Sequence, residues 1–171
     1  MDFDFSELLL DKCTQTAKDF AKAQIEAGCD VIGIGDAICS QIDPFTYNTF
    51  VKERHQEIIN FIHSLGARTK LHICGDITHL LSSLAELDTD ILDLDYDVDI
   101  AHARSIVGEK VILCGNIEPV KIQDSSAETV ERLSRELVGK FGNERFILSA
   151  GCEITVGTPP ENLMAMRKAS R

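Results

Sequence analysis

The stretch that decides the fold is "TKLHICGDITHLLSSLAELDTDILDLD", residues 69–95. It reads as a strand, "TKLHICG" (69–75), a helix over 77–87, and a second strand, "DILDLD" (90–95). Successive side chains of a strand point to opposite faces. Leu71 and Ile73 therefore share one face, and His72 and Cys74 the other. In the second strand Leu92 and Leu94 share a face, and Asp93 and Asp95 oppose them. Both strands put aliphatic groups on one side and metal-ligand chemistry on the other, towards the strand's C-terminal end. In parallel α/β folds the active site gathers at that end. Polar side chains are expected of a site there, whereas in mid-strand they would be costly.

The same unit repeats outward in both directions. Residues 6–27 read as an amphipathic helix, with Ser6 as its N-cap and Gly28 past its end. "DVIGIGD" (30–36) is a strand, and residues 45–65 form a helix ending at Gly66. Beyond residue 95 come a short helix over 99–107, the strand "KVILCGN" (110–116), a helix over 126–141 and the strand "ERFILSAG" (144–151). Pro160 opens a last helix as a first-turn proline. Five strands, each separated from the next by a helix, predict an α/β protein with a parallel sheet. An open doubly wound sheet and a (β/α)8 barrel both fit. No proline- or glycine-rich linker, low-complexity segment or repeat interrupts the chain, which reads as a single domain over residues 1–171.

The 171 residues suffice for one sizeable core, and 44% hydrophobic with 26% charged residues is ordinary for a globular protein. A net charge of −11 argues against nucleic acid or an anionic membrane as partner. No apolar run approaches the roughly 20 residues of a membrane span. The acidic start "MDFDFSELLL" is unlike a signal peptide, so a cytoplasmic location is expected. Under that expectation the six cysteines read as reduced thiols or metal ligands rather than disulfides.

His72 and Cys74, two apart in a strand, lie about 6–7 Å apart at Cα with parallel side chains. An imidazole nitrogen at about 2.0 Å and a thiolate at about 2.3 Å can then share one zinc. Cys152 is the candidate third ligand, because it follows "FILSA" (146–150) and lies at the same end of the sheet. Three protein ligands leave a fourth position open, the arrangement of catalytic zinc, and a sulphur-rich site suits zinc over magnesium or calcium. On the residues alone a second reading stays open, in which the cysteines are small buried apolar side chains. Cys39, in the loop "DAICSQ" (36–41), can face the site or pack in the core. Cys114 reads as strand core, and Cys13 and Cys29 as core or surface. His55, His63 and His102 read as solvated or capping helix residues, and His79 as a group able to support the site loop. "GIGD" (33–36) is too short for a nucleotide fingerprint, and the chain has no P-loop and no G-x-S-x-G elbow.

The stretches "LHICGD" (71–76), "ILDLDYDVDIAHAR" (91–104), "VILCGNIEP" (111–119) and "FILSAGCEITVGTPPENLMAM" (146–166) resemble the uroporphyrinogen decarboxylase superfamily. "GNIEP" (115–119) and "GTPPENL" (157–163) are the most telling parts, and the resemblance runs from about residue 25 to the C-terminus. H-x-C with a later G-C resembles the zinc-dependent branch, the methylcobamide:coenzyme M methyltransferases and their corrinoid-linked relatives. The resemblance implies His72, Cys74 and Cys152 as zinc ligands. It implies Asp95 at the acidic position that can fill the fourth place before a thiol arrives, where several relatives carry glutamate. Asp36 and Asn116, each ending a strand, would point into the same mouth and bind substrate or support the ligands, or else serve a purely structural role in their loops. The implied cofactors are zinc and a corrinoid (methylcobalamin) as methyl donor, and the implied partners a corrinoid protein and a small thiol. Two alternatives are a metal-free decarboxylase acting on a tetrapyrrole and a non-catalytic zinc- or corrinoid-binding fragment.

The resemblance also implies a (β/α)8 barrel, but five strands supply only part of one. The chain is expected to be the C-terminal portion of such a barrel. Its open sheet edges are expected to need a partner: an N-terminal half, another subunit, a second copy, or the rest of a longer protein.

Overall fold

A computed structural model describes residues 3–141 and 145–170. It contains one five-stranded sheet whose order, β1-β2-β3-β4-β5, is the order of the chain. The strands are β1 Val31–Gly35, β2 Arg68–Ile73, β3 Ile91–Leu94, β4 Ile112–Ile117 and β5 Phe146–Ala150. Every pair is parallel. A doubly wound sheet reverses its strand order at a switch point. Here the order never reverses, as in consecutive strands of a barrel.

Register explains which face the helices cover. Leu71, Leu92 and Leu113 align across β2, β3 and β4, with Phe146 beside them on β5. These leucines are fully buried or nearly so, and pack with Tyr47, Ile59, Leu81 and Ala103 from the helical layer. The next row, Gly35, His72, Asp93, Cys114 and Ile147, points the opposite way. Ile147 there is 41% exposed. Helices thus cover one face, and the other is a recess.

The helices follow local signals, with some departures from expectation. α1 spans Phe3–Glu26, so Ser6 lies inside it rather than at its N-cap. The expected helix over 45–65 is two: α2 Pro44–Phe50, capped by Asp43 through the Thr46 N–H at 2.9 Å, and α3 Lys52–Ser64. At their junction the Arg54 guanidinium donates to the Phe50 carbonyl at 2.7 Å, taking the acceptor that a continuous helix would give to the Arg54 N–H. The expected helix over 77–87 shortens to a 3-10 turn, Thr78–Leu80, and one α-turn, α4 Leu81–Leu84. Asp76 accepts from the Thr78 N–H and favours the turn. α5 Ile100–Val107 is capped by Asp99. α6 Pro119–Asp124 was not legible in the hydrophobic pattern, although Pro119 marks its first turn. α7 Ala127–Phe141 and α8 Pro160–Ala169 form as the pattern predicts. Residue 144, the expected start of the last strand, lies outside the described residues. No helix among the described residues is long and apolar enough to cross a membrane.

Because the leucine row is the centre of the core, Leu113→Ala should lower the unfolding free energy by about 2–5 kcal/mol. Met164→Ala, at an exposed position, should stay within about 0.5 kcal/mol. Urea denaturation of the two variants checks the contrast.

Candidate metal centre

The strand tips converge on one group of side chains. His72 is the penultimate residue of β2, and Cys74 lies just past the strand's end. Asp95 follows β3 directly, and Cys152 lies two residues beyond β5. One ligand atom from each of His72, Cys74, Asp95 and Cys152 lies within 4.8 Å of the others, the only such group of histidine, cysteine and acidic residues found among the described residues. Cys74 Sγ is 3.3 Å from His72 Nε2 and 3.8 Å from Cys152 Sγ.

Two glycines make the convergence possible. Gly75 adopts a φ of +85°, and its N–H donates to Asp95 Oδ2 at 2.8 Å, tying the β2 loop to the β3 loop. Gly151 passes so close to Tyr96 that a Cβ would overlap the Tyr96 backbone. Any larger residue would push the β5 loop, and Cys152 with it, away from the cluster.

The surroundings set each group's state. His72 Nδ1 is 3.1 Å from the Asp93 carbonyl. A carbonyl only accepts, so Nδ1 carries a hydrogen, and in the neutral ring the lone pair is on Nε2, towards Cys74. Asp95 is 4% exposed; its second oxygen is 3.4 Å from the Asp97 N–H. The Cys74 thiol is raised above its ordinary pKa by burial first, then by Cys152 and by the charges of Asp95 and Asp93. Below the cluster, burial and then the Asp93 charge push the Cys114 thiol up to about 12. A recess of 430 Å³ opens beside the cluster, lined by Gly33, Gly35, Lys70, His72, Asp93 and Cys152 among others.

Asp36 and Asn116 lie outside the cluster. Asn116 Nδ2 donates to the Asp95 carbonyl at 3.0 Å and the Val98 carbonyl at 2.7 Å, bracing the loop that carries Asp95. Asp36 turns its carboxylate to its own loop, accepting from the Ile38 and Cys39 N–H groups and from the Cys39 thiol at 2.9 Å. His55 Nε2 lies 3.3 Å from Asp36, and His55 Nδ1 is 3.0 Å from the Tyr47 hydroxyl. His55 is therefore a buried member of a polar network, 4% exposed, and not a solvated helix residue. Its eight-residue separation from Tyr47 spans the α2–α3 junction, which hydrophobic periodicity does not report. Cys39 is buried against Asp36, and His79 Nε2 donates to the Ile42 carbonyl at 2.9 Å, joining two loops. Cys13 and Cys29 are exposed.

What the fold and cluster define is a partial (β/α)8 barrel with thiols, an imidazole and a carboxylate at the C-terminal ends of its strands. Residues 2–171 match the family model described as uroporphyrinogen decarboxylase (URO-D), a match that begins well before residue 25. The chain belongs to the uroporphyrinogen decarboxylase family. It is 31% identical to the methylcobamide:CoM methyltransferase MtaA of Methanosarcina barkeri, over 95% of this chain and 48% of that protein. It is 29% identical to a uroporphyrinogen decarboxylase of Microcystis aeruginosa, over 90% of this chain and 44% of that protein. Among solved structures, a methyltransferase from Methanosarcina mazei superposes with a TM-score of 0.90 at 28% identity, covering 99% of this chain and 50% of that one. The chain spans about half the length of the curated relatives it matches.

The Asp36 network carries a pH signature. Burial alone would raise the Asp36 pKa, but hydrogen bonds from His55 and Cys39 outweigh it and hold the carboxyl well below its ordinary value. A depressed folded-state pKa stabilises the fold above the unfolded carboxyl pKa of about 3.9, and the contribution is lost as pH falls towards the folded value. Asp36→Asn should therefore cost about 1–3 kcal/mol at pH 7. The gap to the parent should close as the pH is lowered from about 5 towards 2. Denaturation midpoints across that range measure it.

Proposed function

We propose that the chain is a single-domain portion, the C-terminal one, of a cytoplasmic zinc-dependent methyltransferase. Its reaction moves a methyl group from a methylated corrinoid protein to a small thiol such as coenzyme M. The remaining strands of the barrel come from an N-terminal half or another subunit.

The spacing of the donor atoms carries this reading. A tetrahedral zinc with sulphur ligands at about 2.3 Å separates two sulphurs by about 3.8 Å, and a sulphur from a nitrogen by about 3.5 Å. The Cys74–Cys152 and Cys74–His72 separations are 3.8 Å and 3.3 Å. The free lone pair on Nε2 and the hydrogen-bonded Nδ1 suit a histidine ligand. The donor set thus fits zinc, with His72, Cys74 and Cys152 holding it.

Zinc bound there would supply a Lewis acid that lowers the pKa of an incoming thiol. The protein's own groups do the rest. Asp95, fixed by the Gly75 N–H, is held close enough to fill the resting fourth place or to orient the acceptor. Asn116 keeps the Asp95 loop in position. Asp36 shapes the β1–α2 wall of the mouth through its bonds to residues 38 and 39. The glycines at 33 and 35 leave open space beside His72 for the donor and acceptor to approach.

A second reading, metal-free decarboxylation of a tetrapyrrole, is favoured by the likeness to the Microcystis decarboxylase. The two separate cleanly in the completed barrel. Under the methyltransferase reading the parent carries one zinc per chain, and thiol-dependent loss of methylcobalamin absorbance falls at least about 100-fold on chelation or in Cys74→Ala. Porphyrinogen turnover that ignores chelators, with no zinc in the parent, would establish the second reading instead. Stoichiometric zinc without methyl transfer would mark a binding module.

A further inference from the structure

We infer that Asp93, anchored by Lys70, is a positioning residue for His72, holding the imidazole so that Nε2 faces the cluster. This inference rests on the metal-centre reading above. His72 and Asp93 are register partners on β2 and β3, in the row that faces the recess. Asp93 offers two acceptors to one ring nitrogen: its carbonyl at 3.1 Å from Nδ1 and its carboxylate Oδ2 at 3.5 Å. Neither can donate when the carboxylate is ionised, so both favour the Nδ1–H tautomer. The Lys70 ammonium fixes the same Oδ2 from the other side at 2.8 Å. Lys70, Asp93 and His72 form a chain of contacts from the floor of the recess to the ligand atoms.

The cost of the arrangement points the same way. Asp93 is 8% exposed, and its Oδ1 is buried with no hydrogen-bond partner among the described residues. A half-satisfied buried carboxylate is expensive, and its row neighbours Gly35, Cys114 and Ile147 carry no ionised group of that kind. Filling space or pairing strands does not need it. A carboxylate beside Nδ1–H does something those neighbours cannot: it makes Nε2 a stronger donor and fixes the ring plane. An asparagine would keep the shape and lose the charge.

The test uses the full chain with zinc, and with cobalt(II) as a spectroscopic substitute. Asp93→Asn should weaken zinc binding about 10–100-fold in chelator competition. It should also shift the cobalt ligand-field bands, while the thiolate-to-cobalt charge-transfer intensity from Cys74 and Cys152 stays at the parent level. Asp93→Asn leaves the partly exposed Lys70 ammonium without its carboxylate, so Asp93→Asn/Lys70→Gln is measured beside it and should show the same loss and shift. Zinc affinity within twofold of the parent in the double variant, with unshifted bands, overturns the inference. Loss of charge-transfer intensity in both variants also overturns it, because the damage then extends to the cysteines. A parent that binds no zinc fails at the earlier step and removes the metal centre together with this role.

Discussion

Parallel pairing of β3 with β2 on one side and β4 on the other is the constraint on which the rest depends. It aligns Leu71, Leu92 and Leu113 beneath the helices and, by alternation, aligns His72, Asp93 and Cys114 on the opposite face. A slip of one residue would exchange the two rows, driving charge under the helices and leucine into the recess. Each buried leucine contributes about 1.5–3 kcal/mol, so the core enforces the register. The candidate ligand residues inherit their alignment from that packing without having to generate it. His72 faces inward because Leu71 and Ile73 must face the helices.

Charge at the strand tips is gathered with little to balance it. Two thiols and the Asp95 carboxylate meet within 4.8 Å of one another, and the nearby ammonium of Lys70 is engaged by Asp93. Backbone N–H groups of Gly75 and Asp97 soften the burial of Asp95. Burial first, and then Cys152 and the acidic neighbours, raise the Cys74 pKa. A cation among these groups would reverse its sign, drawing protons off the thiols. The same physical feature thus works against ionisation on its own and in favour of a soft divalent ion.

Much of this was legible in the sequence, and the reasons are specific. Alternation in "LHIC" (71–74) and "LDLD" (92–95) reports faces directly, because strand geometry has a period of two. The position of Cys152 after a strand reports its end of the sheet. What alternation could not report was contact between distant loops. The Asp36–His55–Tyr47 network joins a strand tip to two helices, and the split at residue 51 arises from one guanidinium competing for one carbonyl. α6 is six residues long, too short for its pattern to stand out beside a proline and the helix that follows. The chemistry of Asp93 was also hidden: its face was readable, but its partners on β2 were set by register.

Gly151 shows where some of the information for the site is stored. Its hydrogen occupies the only room left beside the Tyr96 backbone, and that proximity brings Cys152 over β3. A descendant could retain every donor residue and every strand, gain one methyl group at position 151, and no longer gather its donors. Recognition of such sites by their ligands alone would count that descendant as intact. The gathering of the donor set thus depends on a residue that contributes no donor atom, and what position 151 supplies is a volume kept empty of carbon.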